Sequence, residues 1–356
     1  MCMRIASLFS GAGGLDLGFR QAGFTVEWAN EYDRTIRGTY EANHLGTVLE
    51  PRSLFDFEPD ELPKGITGLI GGPPCQSWSE AGKARGAADN RGQLFFRYVD
   101  FVADVRPAFF LAENVRGILF QRHSNSLRDI LEKFCNLGYN VSYGLLNAHD
   151  YGVPQDRERV IIVGYRMTKN DFFVPPQPDS ICLNLKDAIY DLRKNAKPAI
   201  NGTYANSRMR IANHEYLEST YSSMFMSRNR VRAWDEPSFT IQAGGRHAPL
   251  HPSAPKMIHI GKDKRGFVEN RFYRRLTVRE AARIQTFPDD FVFSYTNVLD
   301  GYKMIGNAVP VEFAKRLATK IFADVQNSGV LPRSSRRKGK LKTFAELISS
   351  SAESWS

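Results

Sequence analysis

SLFSGAGGLDLGF, residues 7–19, decides how the rest of the chain is read. An apolar run from Arg4 to Phe9 ends in small residues and glycines, and a helix-like stretch opens at once from Leu15 to Ala22. A strand that turns through glycine into a helix lets backbone approach a ligand closely, at the carboxyl edge where open α/β sheets bind cofactors. The GAGG spacing departs from the GxGxxG of dinucleotide sites, so a pyrophosphate cradle is not implied.

The same alternation continues outward. Phe24 to Asn30, Ile66 to Ile70, Ala108 to Ala112, Val141 to Leu146 and Val160 to Tyr165 read as strands. Thr35 to Asn43, Gln93 to Val105 and Ser126 to Leu137 read as the helices between them. Strands alternating with helices predict an α/β fold with a doubly wound, mostly parallel sheet covered on both faces. The pattern breaks at the proline-rich stretch FVPPQPD, residues 173–179, and stays irregular to about Phe272. Leu276 to Thr286 and Pro310 to Val325 are helical again, the second with proline at its tolerated first position. The expected organisation is a main domain over residues 1–178, a smaller irregular domain over 179–292, a segment at 293–327 returning to the main domain, and a basic, Ser-rich tail at 328–356 without fixed structure.

Composition narrows the partners. The 356 residues carry a formal net charge of +10, which favours a polyanion, most simply nucleic acid. The four cysteines, Cys2, Cys75, Cys135 and Cys182, show no metal-ligand spacing and no disulfide pattern, so no metal site is expected. No apolar run reaches the length of a membrane span, and the N-terminus meets glycines before a signal-peptide core is complete; a soluble, cytoplasmic chain is expected.

Several positions carry chemistry. Glu31 and Asp33 end the second strand in WANEYD, about 20 residues after the glycine turn, where a carboxylate accepts hydrogen bonds from ribose hydroxyls. In GGPPCQSWSEAG, residues 71–82, the two prolines stiffen the approach to Cys75. A lone cysteine is more often an inert buried one, but this neighbourhood is polar and turn-forming, a poor place to bury a passive thiol. Glu113 closes the apolar run FFLA, where a partly desolvated carboxyl can donate a proton. Arg157 and Arg159 alternate at a strand start and are expected on one face, suited to a phosphate or a ring carbonyl.

In this order the pieces resemble the DNA cytosine-5 methyltransferases. The resemblance runs from residue 4 to about 325 through seven motifs: SLFSGAGGLDLGF, NEYD, GGPPCQSWSEAG, AENV, QDRER, RRLTVREAARIQTFPDDF (274–291) and GYKMIGNAVPV (301–311). It implies S-adenosyl-L-methionine as cofactor, held by Phe9, Ser10, Gly11, Gly13, Gly14, Leu15, Glu31, Pro73, Leu94, Asn307 and Val309. It implies Cys75 as nucleophile with Glu113, Arg157 and Arg159 as its catalytic partners. A closing loop with Ser79, Lys83, Arg85 and Arg91 would grip DNA phosphates. HEYL, FMSRNRVR, EPSFTIQAGGR and LHPSAP are similar to the recognition region of HaeIII-type, GGCC-modifying type II methylases, which implies Arg228, Arg230 and Arg246 as base readers in a DNA-recognition domain. One departure is EPRSLFDF, residues 50–57: where the family carries an acid for the cofactor's adenine amine, Asp56 stands several residues out of place and the contact stays unassigned.

The implied reaction is thiolate attack on carbon 6 of a flipped cytosine, methyl transfer to carbon 5, and loss of the carbon-5 proton with expulsion of the thiolate. The implied partner is double-stranded DNA, with a cognate restriction endonuclease as a functional partner and a monomer as the working unit. The rival readings are a cytosine-5 methyltransferase acting on another DNA sequence or on tRNA, a related fold serving a small molecule, and a binding module without catalysis.

Overall fold

The computed structural model describes residues 3–74, 90–168, 172–180, 182–329 and 337–353; the side chains of 90–92 and 351–353 are not among them. Cys75, Ser79, Lys83 and Arg85 lie outside the described residues, and Arg91 is described only as part of a helix backbone.

The first half of the chain is β1 (Arg4–Leu8), α1 (Gly14–Gln21), β2 (Thr25–Asn30), α2 (Arg34–Asn43), β3 (Val48–Glu50), β4 (Gly68–Gly71), α3 (Asn90–Val105), β5 (Phe109–Val115), α4 (Ser124–Asn136), β6 (Asn140–Asn147) and β7 (Glu158–Tyr165). There follow α5 (Leu185–Ile189), the paired segments β8 (Lys197–Pro198) and β9 (Glu215–Tyr216), the hairpin β10 (Ile258–Gly261) and β11 (Lys264–Gly266), then α6 (Val278–Ile284), α7 (Val298–Asn307), α8 (Val311–Gln326), β12 (Leu341–Thr343) and α9 (Phe344–Glu353).

The main sheet has eight strands in the order β12-β6-β7-β5-β4-β1-β2-β3. β7 runs antiparallel to both of its neighbours, and every other pairing is parallel. The expected doubly wound, mostly parallel sheet is therefore what forms. Side-chain alternation divides its strands between two cores. Ile5, Phe109, Leu111, Ile161 and Val163 face α1 and α8 with Phe19, Phe313, Leu317 and Ile321. Leu8, Leu69, Phe110, Val160 and Ile162 face α3 and α4 with Phe95, Tyr98, Ile130 and Phe134.

A third core carries the second domain. Leu185, Ile189, Leu276, Val278, Ile284, Phe291, Phe293, Tyr302 and Ile305 meet there, with Ile36 of α2. The TVRE sequence starts α6 with a capping box, Thr277 and Glu280 each accepting from the other's backbone N–H. Glu280 is fully buried and takes a two-pronged bond from Arg274, both contacts at 2.7 Å.

Both helices of the segment 293–327 meet the main domain: α7 packs in the third core and touches α2 through Met304 on Thr39 and Lys303 on Asp33, and α8 packs against α1. One expectation of organisation is corrected. The tail is not without structure, since residues 337–353 add β12 in parallel to β6 and bury Phe344 and Leu347 of α9. Its signal was the sequence TFAE, a second capping box in which Glu346 accepts from Thr343.

Candidate active site

β1 is the switch point of the sheet: the chain runs from it to β2 and β3 on one side, and β4 and β5 lie on the other. The carboxyl ends of β1 and β4 therefore open onto one crevice, where doubly wound sheets take their ligands. The glycine loop leaves β1 there, and Gly72, Pro73 and Pro74 leave β4 beside it.

The glycine loop is held by its neighbour β2. Ser10 N–H and its hydroxyl both donate to Asn30 O at 3.0 Å, and Gly11 N–H donates to Glu31 Oε2 at 2.8 Å. Asp33 N–H donates to the other carboxyl oxygen of Glu31 at 2.7 Å. Phe9, Gly11 and Gly13 adopt φ of 56°, 58° and 86°, so the turn is left-handed at three positions and Phe9 bears strain that glycine would not. A Cβ on Gly11 would meet nothing within 4 Å, which leaves open space against that backbone. One on Gly13 would strike His44 Nε2, and one on Gly14 would lie 2.4 Å from Val309 O. The loop is thus packed from below by His44, and from the side by the α7–α8 joint. Burial raises the pKa of the nearly enclosed Glu31 above the usual carboxylate range, against the pull of its two N–H donors. Tyr32, which sequence reasoning passed over, stands 66% exposed beside it, an aromatic at the strand end.

Other expected cofactor residues divide by surroundings. Leu15 is 5% exposed and belongs to the core against α8, so its contribution to the crevice is backbone. Leu94 packs partly buried against the α3 core, Pro73 and Val309 are buried, and Asn307 is exposed at the end of α7. The open backbone at Gly11, the buried acid at the next strand end and the exposed ring of Tyr32 fit a nucleoside-bearing cofactor.

Because β7 is antiparallel, its amino end lies at the same sheet edge as the carboxyl end of β5, with Val115 opposite Arg159. Arg159 Nε forms an ion pair with Glu113 Oε1 at 2.7 Å, both side chains 11% exposed, and Arg159 Nη1 donates to Glu158 O. Glu113 Oε2 would lie 3.3 Å from a Cβ on Gly72, and Asn114 Nδ2 donates to Pro73 O. The prolines before Cys75 are thereby tied to the strand that carries Glu113.

Arg157 corrects the expectation that it shares a face with Arg159. It lies one residue before β7, is 1% exposed, and donates to the carbonyls of Ile241, Gly306 and Ala308 at 2.8–3.0 Å. Its Nη1 and Nη2 thus bind backbone carbonyls of two other segments.

Arg230 is likewise anchored, 8% exposed, donating to Phe225 O and Met224 O and lying 4.8 Å over the Phe225 ring. Burial, then the charge of Arg228, lowers its pKa to about 10. Arg228 is exposed; with Arg230, Thr240, Gln242 and His247 it lines a depression of about 200 Å³ that has no carboxylate in its wall. Arg246 is exposed on the turn next to His247.

Comparison with known families is decisive at this point, since residues 3–323 match the model of the C-5 cytosine-specific DNA methylases. The chain belongs to that family. The methylase is 54% identical over 334 residues to the type II methyltransferase M.MthTI of Methanothermobacter thermautotrophicus, covering 93% of this chain and all of that one. It is 51% identical to M.FnuDI of Fusobacterium nucleatum, over 94% and 99% of the two chains. The methylase is thus a C-5 cytosine DNA methyltransferase of the type II restriction-modification kind. Among solved structures, its fold is similar to the Entamoeba histolytica methyltransferase EhMeth (TM-score 0.66, 16% identity, 91% and 99% of the chains) and to Schizosaccharomyces pombe Dnmt2 (TM-score 0.58, 17%, 92% and 99%). Among the described residues no cluster of acidic, His and Cys side chains could hold a metal, and no helix is long and apolar enough to cross a membrane.

Proposed function

We propose that the methylase uses S-adenosyl-L-methionine to modify the inner cytosine of GGCC in duplex DNA, as HaeIII-type enzymes do, and so protects DNA from a cognate endonuclease. The observation that carries the chemistry is the Glu113–Arg159 pair, fixed beside the two prolines that lead to Cys75. The glycine loop, Glu31, Tyr32 and the Asn307–Val309 segment would hold the cofactor, which supplies an electrophilic methyl group when bound.

Carbon 5 of cytosine is a weak nucleophile. Bond formation between the Cys75 sulfur and carbon 6 shifts electron density onto carbon 5 and ring nitrogen 3. Glu113 hydrogen-bonds the exocyclic amine and gives a proton to nitrogen 3, so that no full negative charge accumulates on the ring. Arg159 orients Glu113 through its ion pair at Nε, and Nη2, which bonds none of the described residues, would hold the carbonyl at ring position 2. After methylation, a solvent base takes the carbon-5 proton, the freed electron pair expels the Cys75 thiolate, and the nitrogen-3 proton returns to Glu113, restoring the aromatic ring. The target base has to leave the stack, at a cost of a few kcal/mol, before any of these atoms can meet.

Recognition falls to the depression that bears Arg228 and Arg230, with Arg246 at its rim. Guanine presents two major-groove acceptors that match an arginine fork, at about 1–3 kcal/mol of discrimination each. An arginine already fixed by Phe225 and the Met224 and Phe225 carbonyls gives up little conformational freedom on pairing. Each half of GGCC can be modified separately, so one copy of the chain suffices. The test is to treat plasmid DNA with the protein and S-adenosyl-L-methionine and to map 5-methylcytosine. Modification confined to the inner cytosine of GGCC is expected; another sequence overturns the specificity, and undiminished turnover of Cys75→Ser overturns the chemistry.

A further inference from the structure

Residues 154–157 touch three regions that do not otherwise adjoin in sequence. Gln155 forms a parallel bridge with Ser238, Asp156 N–H donates to Ser238 O, and Ser238 N–H donates to Pro154 O. Ile241 N–H donates to Gln155 Oε1 at 2.8 Å, and Thr240 Oγ1 donates to Asp156 O. This segment is therefore sewn to residues 238–241, which continue into the Gln242 to His247 wall of the arginine depression. On its other side, Gln155 Nε2 donates to Gln285 Oε1 at 2.9 Å, and Gln285 Nε2 donates to Ile305 O at 2.8 Å. Arg157 joins both sides at once, with one nitrogen on Ile241 O and the other on Gly306 O and Ala308 O.

The last carbonyls of a helix have no partners of their own. At the end of α7, Ile305 O accepts from Gln285 as well as from the Ala308 N–H, the Gly306 and Ala308 carbonyls accept from Arg157, and Val309 follows directly against Gly14. Gln155 and Gln285 are fully buried, and Arg157 is 1% exposed. A shift of residues 238–241 cannot be absorbed by water in such a place. It must be passed to the α7–α8 joint or break buried hydrogen bonds, each costing about 1–3 kcal/mol when left unmade.

We infer that Gln155, Arg157 and Gln285 are positioning residues that couple DNA recognition to the cofactor pocket, so that seating DNA on the arginine wall tightens the Asn307–Val309 side of that pocket. The inference rests on the proposed placement of cofactor and DNA. Coupling is reciprocal by thermodynamic necessity, so either ligand reports it.

Calorimetry of the full chain with S-adenosylhomocysteine, alone and with a GGCC duplex, measures the coupling directly. We expect the duplex to raise the wild-type affinity at least about fivefold, the low end of ordinary coupling. In Gln285→Ala and in Arg157→Lys the ratio should collapse toward one, while each variant still binds each ligand alone and melts cooperatively. Wild-type hydrogen exchange at residues 303–309 should slow on adding duplex, which needs no variant to fold. An unchanged ratio in folded variants, or unchanged exchange with both ligands binding, overturns the coupling. Failure of the wild type to bind either ligand overturns the functional reading on which it rests.

Discussion

Glu113 Oε1 and Arg159 Nε are 2.7 Å apart, across the one strand pairing where β5 meets an antiparallel neighbour. Neither side chain is more than 11% exposed, so each needs the other. Glu113→Gln should lower methyl incorporation into duplex DNA by about 100- to 10,000-fold, the usual range for a positioned acid. Binding of S-adenosylhomocysteine should be nearly unaffected. Arg159→Ala, which leaves the carboxylate without its cation, should also lower the melting temperature; activity within a factor of two of wild type in both variants would remove the pair from the mechanism.

Gly14 and Gly11 should respond differently to alanine. A Cβ at Gly14 would lie 2.4 Å from Val309 O, a backbone atom that cannot swing aside, so Gly14→Ala must push α1 from the α7–α8 joint. Loss of cofactor binding together with a fall in stability is expected by calorimetry and urea unfolding. Gly11→Ala meets open space and carries only the left-handed backbone penalty, about 1–2 kcal/mol. Its stability should fall by no more than that.

Arg230 and Arg228 should separate specificity from general affinity. Arg230→Lys keeps the charge but loses the fork that Phe225 and two carbonyls hold, and should relax discrimination by about 1–3 kcal/mol at one base. If the exposed Arg228 meets only phosphate, its alanine variant should weaken binding evenly across sequences and lower the salt slope by about one. Binding to GGCC and to single-base variants at several salt concentrations checks both.

Asp16 lies fully buried between Ser7 Oγ and Tyr40 OH, both donating to it at 2.6 Å, and burial pushes its pKa up from 3.8 to about 6. A carboxyl raised on folding supports the native state below its unfolded pKa, and loses that support as pH rises through the folded one. Relative to Asp16→Asn, the wild type should therefore lose stability between about pH 4 and 6. His44 and His251, each lowered to about 4 by burial, act with the opposite sign in the same window, which is why the difference from the variant is the measure. Melting curves of both proteins over that range that run parallel would refute the assignment.

Phe344 is 4% exposed where α9 meets Phe173 and the sheet. Phe344→Ala should cost about 3–5 kcal/mol in urea unfolding. Removing residues 337–353 should also bare the β6 edge and promote self-association, visible by light scattering.

Much of the fold was legible because short apolar runs and helical periods alternate cleanly from Arg4 to Tyr165. α7 was hidden by Gly301 and Gly306, which look like breakers. Gly301 is there because a side chain would strike Tyr295 and Val278, and Gly306 because one would strike the backbone at Gln242 and Ala243. The crevice residues could be named because the glycine turn, the strand-end acid and the Pro-Pro-Cys stretch are each local in the chain.

By itself the sequence determined the strand and helix succession, the glycine turn at residues 11–14, the acid at Glu31 and the identities of Glu113 and Arg159, since each depends on neighbours only a few residues away. Tertiary structure alone decided that β7 runs backward and so brings Arg159 to Glu113, and that Arg157 instead holds the carbonyls of Ile241, Gly306 and Ala308. Two arginines one residue apart have the same local pattern. What separates them is which carbonyls and carboxylates the rest of the fold leaves without a donor, up to 151 residues away.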